Sequence, residues 1–82
     1  MTLNSLKKII KYRSTYSGTK ETDLLYKKYF INNLNRFSEN ELILLKSVFD
    51  IYSDSEIYDI LTNKIKANTE FKNLFEKILK FK

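Results

Sequence analysis

The sequence predicts an all-α fold, a compact five-helix bundle forming a single domain over residues 1–82. Three observations predict it. Apolar residues recur every three to four positions along most of the chain, the period of an amphipathic helix. Proline is absent and glycine occurs once, so little interrupts the helices. Two capping boxes, Ser38-Glu39-Asn40-Glu41 and Ser53-Asp54-Ser55-Glu56, mark where helices start. With 43% hydrophobic and 15% aromatic residues in 82 positions, the chain can build one core and is too apolar to stay disordered.

The first segment runs from about Leu3 to Tyr16. Leu3, Leu6, Ile9, Ile10 and Arg13 share helical spacing, and the segment ends at Gly18, which reaches a left-handed backbone at little cost. The second runs from about Lys20 to Asn35. Tyr26, Phe30, Leu34 and Phe37 set its rhythm, with Leu24, Leu25 and Ile31 widening the face. The third starts at Ser38, with Phe37 and Leu42 placed as a hydrophobic staple across the box. Leu42, Leu45, Phe49 and Tyr52 form its face, with Leu44 and Val48 alongside. The fourth starts at Ser53, stapled by Tyr52 and Ile57, with Ile57, Ile60, Leu61 and Ile65 as its stripe. The fifth starts near Asn68 or Thr69, either of which can cap it, and carries Phe71, Leu74, Phe75, Ile78 and Leu79. Short connections make consecutive helices neighbours.

Composition excludes much chemistry. Histidine and cysteine are absent, which removes the usual zinc ligands, the thiol nucleophile and the commonest general base. One glycine cannot make a glycine-rich phosphate loop. An enzyme acting alone is not expected, nor a chain that binds FAD by itself. No apolar run is long enough for a membrane span, so stable insertion is not expected. The basic, acid-free first twenty residues read as a native first helix rather than a transit peptide, which suits a cytoplasmic bacterial protein.

Charge is segregated. Residues 1–36 carry eight bases and two acids; residues 37–59 carry one base and six acids; residues 60–82 carry six bases and two acids. The basic segments open a second reading, a small helical nucleic-acid-binding protein. Lys7, Lys8, Lys11 and Arg13 would meet phosphates at one end and Lys77, Lys80 and Lys82 at the other, with Tyr12 or Tyr16 stacking on bases. A solvated lysine face explains the same residues, and no helix-turn-helix pattern accompanies them.

The least ordinary stretch joins the first two segments: Arg13-Ser14-Thr15-Tyr16-Ser17-Gly18-Thr19-Lys20-Glu21-Thr22-Asp23. Gly18 as a helix C-cap, with Glu21 and Asp23 supporting the dipole of the next helix, accounts for it without any function. The stretch also resembles the signature of the succinate dehydrogenase flavinylation factors. That signature has an Arg-Gly pair, two variable residues, Glu, one residue, Asp, then apolar residues. Gly18, Glu21, Asp23, Leu24 and Leu25 match it in register. Phe37-Ser38-Glu39-Asn40-Glu41-Leu42 resembles the family's next helix start, and Asp54-Ser55-Glu56-Ile57-Tyr58 its acidic segment before the fourth helix. Two positions depart from the pattern: Ser17 stands where the family has Arg, and Ile60 where it has Trp.

The resemblance implies a non-catalytic assembly factor. Its partner is the flavoprotein subunit of succinate dehydrogenase, and the similar subunit of fumarate reductase is a further candidate. It implies no cofactor of its own and an action on FAD held by that partner. It places the partner-binding surface at Arg13, Ser14, Ser17, Gly18, Lys20, Glu21 and Asp23, with Lys20 or Arg13 supplying the positive charge that Ser17 lacks. A monomer when free is expected.

Overall fold

The computed structural model of the chain describes residues 2–15 and 17–81. Its helices are α1 (Leu3–Thr15), α2 (Lys20–Tyr29), α3 (Glu39–Ile51), α4 (Asp54–Leu61) and α5 (Lys72–Ile78). A 3-10 turn, Ile31–Arg36, follows α2, and another, Thr69–Phe71, leads into α5. No strand occurs among the described residues, as an all-α fold requires. The expected end of the first segment at Tyr16 lies outside the described residues, as do the roles suggested for Tyr16 and Lys82.

Each helix contributes one stripe to a single core. From α1 come Leu6 and Ile10, from α2 Tyr26, and from α3 Leu42, Leu45, Val48 and Phe49. From α4 come Ile57, Ile60 and Leu61, and from the last segment Phe71, Leu74, Phe75 and Ile78. Seven of the residues expected in the stripes of the last two segments, Ile57, Ile60, Leu61, Phe71, Leu74, Phe75 and Ile78, are buried. Helix α1 packs on α2 and α3, α2 also meets α4, and α5 leans on α3. At the centre Tyr26 stacks on Phe30, with ring centroids 5.3 Å apart, and both meet Phe49 edge-on. The Cα radius of gyration, 11.5 Å, matches the roughly 12 Å of a compact chain of this length.

Both capping boxes form. The Glu41 amide donates to Ser38 Oγ at 3.2 Å, and the Ser38 amide donates to Glu41 Oε1 at 2.8 Å. Ser53 and Glu56 repeat the exchange at 3.2 and 3.0 Å. Glu41 carries a second load. It accepts from Lys77 Nζ at 2.8 Å, and the same ammonium donates to the Arg36 carbonyl at 2.8 Å, tying α5 to the start of α3. Partial burial pushes the Glu41 carboxyl up. Donation from the Lys77 ammonium and the Ser38 amide outweighs that and holds it below its ordinary 4.5.

Four expectations need correction. The second segment does not run unbroken to Asn35. Its α-helix stops at Tyr29 because the buried Asn33 amide donates to the Lys28 and Tyr29 carbonyls, at 2.9 and 3.3 Å, in place of backbone amides. Leu24 does not widen the core face; it is 59% exposed. Ile65 is not part of the fourth stripe, since α4 ends at Leu61 and Ile65 is 41% exposed. Asn63 is left-handed, φ 63°, and the amides of Asn63 and Lys64 return to the carbonyls of Ile60 and Asp59. That is a Schellman motif with asparagine where glycine is usual. Finally, Asn68 does not cap the last helix with its side chain. Its amide instead donates to the Tyr52 hydroxyl at 2.9 Å.

Candidate functional site

Gly18 links α1 to α2 with φ +89°, a conformation that a side chain disfavours. The reason is the backbone and not crowding, because a Cβ built there would meet nothing within 4 Å. The residues around it hold the turn closed. The Ser17 hydroxyl hydrogen-bonds to Asp23 Oδ1, and the Ser17 amide donates to the same oxygen at 3.2 Å. Thr19 is the N-cap of α2: its Oγ1 accepts from the Thr22 amide at 3.4 Å and bonds to the Thr22 hydroxyl at 2.8 Å.

This geometry sorts the expected site residues into three groups. Gly18, Lys20 and Glu21 are exposed on the turn. The side chains of Lys20 and Glu21 form no hydrogen bond or ion pair among the described residues. Ser17 is half-buried and lines the cleft described below, and Asp23 is half-buried beneath it as the clasp of the turn. Of the two acids placed on the partner-binding surface, Glu21 is exposed and Asp23 is turned in to hold the turn. Ser14 and Arg13 are elsewhere. Ser14 is 1% exposed on the inner face of α1, its hydroxyl without a hydrogen-bond partner among the described residues, so burial keeps it from a docking protein. The Arg13 guanidinium donates to the Phe49 carbonyl and to Asp50 Oδ1 at 3.2 Å, and lies over the Phe49 ring. A cation at the carboxyl end of α3 is favoured by the helix dipole. Arg13 is therefore committed to α3, and of the pair considered for the charge missing at Ser17 it is Lys20 whose side chain has no partner among the described residues.

The turn does not stand alone. An open cleft of about 460 Å³ is lined by Ser17, Thr19, Glu21 and Thr22 on one side and by Asp54, Ser55 and Tyr58 of α4 on the other. Two of the three sequence blocks singled out above thus share one cleft. The third does not: Ser38 and Glu41 belong to the cap of α3 and the Lys77 clamp. A second cleft of about 350 Å³, between Tyr12, Arg13, Phe49 and Tyr52, meets the first at Asp54. Sequence reasoning missed Asp54 as a site residue although it fell within a quoted block. Only the packing of α2 on α4 brings it opposite Glu21.

Among the described residues the cleft lining holds two carboxylates, five hydroxyl side chains and no basic side chain. It suits hydrogen bonding to a cationic or N–H-bearing group of another molecule better than bond-making chemistry. Among the described residues no three His, Cys, Asp or Glu side chains converge as metal ligands, and no helix is long and apolar enough to cross a membrane. Several cations proposed for phosphate contact are engaged within the chain: Lys7 donates to Asn35 at 2.9 Å, while Arg13 and Lys77 make the contacts above.

No curated protein and no solved structure gave a significant match to the chain. A family model described as the flavinator of succinate dehydrogenase matches residues 8–82. That span includes the Gly18 turn, both capping boxes and all of α4, and it shows that this chain belongs to the succinate dehydrogenase flavinator family.

Proposed function

We propose that this protein binds the FAD-loaded flavoprotein subunit of succinate dehydrogenase and promotes covalent attachment of the flavin, docking through the Gly18 turn and its cleft. One observation carries the choice of surface. Residues 17–23 and 54–58, the blocks that resemble the family's signature and its acidic segment, face each other across one cleft. Glu21 stands at its edge, its side chain without a partner among the described residues.

The covalent bond would form within the partner, between the partner's own groups and the flavin it holds. This chain has no histidine, cysteine or phosphate loop to offer that step. Its part is to favour the geometry in which the partner's groups react, acting as a monomer without FAD of its own. Gly18, exposed and without a side chain, lets the partner's backbone approach. Glu21 supplies a charge whose removal from a formed interface typically costs about 2–5 kcal/mol.

The test is Glu21→Ala. Covalent flavin on the denatured flavoprotein subunit, read by in-gel fluorescence, should fall at least about tenfold, since 1.4 kcal/mol already corresponds to that factor. Helical content by circular dichroism should not change. Wild-type flavin attachment and wild-type partner binding in this variant would overturn the assignment.

A further inference from the structure

We infer that Asp54 is a second partner-contacting acid of the cleft and that Tyr26, a core residue, is the positioning residue that aims it. This rests on the docking surface proposed above and extends it to two residues outside the signature.

Packing alone asks only for a ring at position 26. Tyr26 is 0% exposed, stacked on Phe30 and edge-on to Phe49, and phenylalanine would fill the same space. A buried hydroxyl is costly unless it finds a partner. This one donates to Asp54 Oδ1 at 2.7 Å. Burial, followed by the adjoining Asp54 carboxylate, raises the phenol far above its ordinary range, so it remains a donor.

The dipole of α4 favours an acid at Asp54 but does not call for such a bond. It is the first residue of α4, but Ser53 and Glu56 already make the cap of that helix. Its carboxylate has one hydrogen bond among the described residues, the one from Tyr26. An ionised carboxylate offers roughly four acceptor positions. Asp54 lines both the cleft shared with Glu21 and the neighbouring one at Arg13. One oxygen held from the core therefore presents the rest of the group to that surface. Fixing the rotamer before docking removes an ordering cost that a free side chain would incur on binding.

A bond that served only the fold would look the same in the free protein, so the test must read the partner. The affinity of the FAD-loaded flavoprotein subunit is measured for wild type, Tyr26→Phe, Asp54→Asn, Asp54→Ala and the double variant Tyr26→Phe/Asp54→Ala. Thermal melts accompany each titration, which is run where every variant is folded. Tyr26→Phe should weaken binding about three- to tenfold although the residue is buried. Asp54→Ala should weaken it at least as much, and the double variant no further. If Tyr26→Phe proves too unstable, Asp54→Asn still decides the role of the charge, since its amide oxygen can accept from Tyr26. Wild-type affinity in the Asp54 variants, or an equal loss from Tyr26→Phe with and without Asp54, overturns the inference. Glu21→Ala in the same titration separates the two readings. If it alone weakens binding, the cleft stands and the Tyr26–Asp54 device falls; if it too binds like wild type, both fall.

Discussion

Three helices here begin on a hydroxyl cap with a glutamate in the first turn, yet only two use the glutamate for themselves. In α3 and α4 it sits three residues after the cap, as Glu41 and Glu56, and folds back onto the cap amide. In α2 the cap is Thr19 and the glutamate, Glu21, comes one residue too early. The third position is taken by Thr22, 5% exposed, where a carboxylate would lose its water. A shift of one residue turns a structural acid into one that faces solvent. The difference shows how a surface site and a helix cap are built from the same residue types, and only register separates them.

That contrast can be broken most sharply by exchanging readouts. Glu21→Ala should lower partner affinity by about 2–5 kcal/mol while shifting stability by at most about 1 kcal/mol. Gly18→Leu should come next. The left-handed backbone alone makes it destabilising by about 1–2 kcal/mol, with no steric clash to add. Gly18→Asn should melt closer to wild type, since asparagine tolerates that conformation. Both should bind the flavoprotein poorly, as their added side chains stand in the path of its backbone. Normal binding by Gly18→Asn would show that the glycine serves only the turn.

Ser53→Ala should do the reverse of Glu21→Ala: a loss of about 1 kcal/mol in chemical denaturation and an unchanged affinity of the folded protein for the flavoprotein. The smallest effect sharpens the comparison from the acid side. Because the folded Glu41 carboxyl lies below its ordinary 4.5, its contribution is complete above that value and disappears as pH falls through the folded pKa. Glu41→Gln should therefore flatten the acid limb of the stability curve below pH 4.5, measured by denaturation at successive pH values.

Much of this architecture was legible in the sequence where its cause is local. Ser38-x-x-Glu41 and Ser53-x-x-Glu56 need nothing beyond four consecutive residues, and both form as read. The stripes of α4 and α5 follow from spacing alone. The sequence was silent where the cause is tertiary. Nothing at Asn33 announces that its amide will stop α2 early, and nothing at Arg13 that it will reach across to the Phe49 carbonyl. The left-handed Asn63 carries no clear signal, because glycine is the commoner choice there. In the candidate site, the signature drew attention to Gly18 and Glu21 correctly as surface residues. It also suggested Ser14, which helical phase turns inward. Asp54 opposite Glu21 is a product of packing and has no signal in either block by itself.

The Lys77 clamp has a kinetic consequence. Its two bonds join residues 41 and 36 positions apart, so closing them requires a large part of the chain to be in place. Loop-closure entropy opposes such contacts early in folding, whereas the Ser53 box can form within an isolated turn. The box should therefore belong to the transition state and the clamp should not. In stopped-flow measurements Ser53→Ala is expected chiefly to slow folding, and Lys77→Met chiefly to speed unfolding. On that account the ammonium of α5 acts as a brake on opening, setting how long a folded molecule lasts more than how fast it appears.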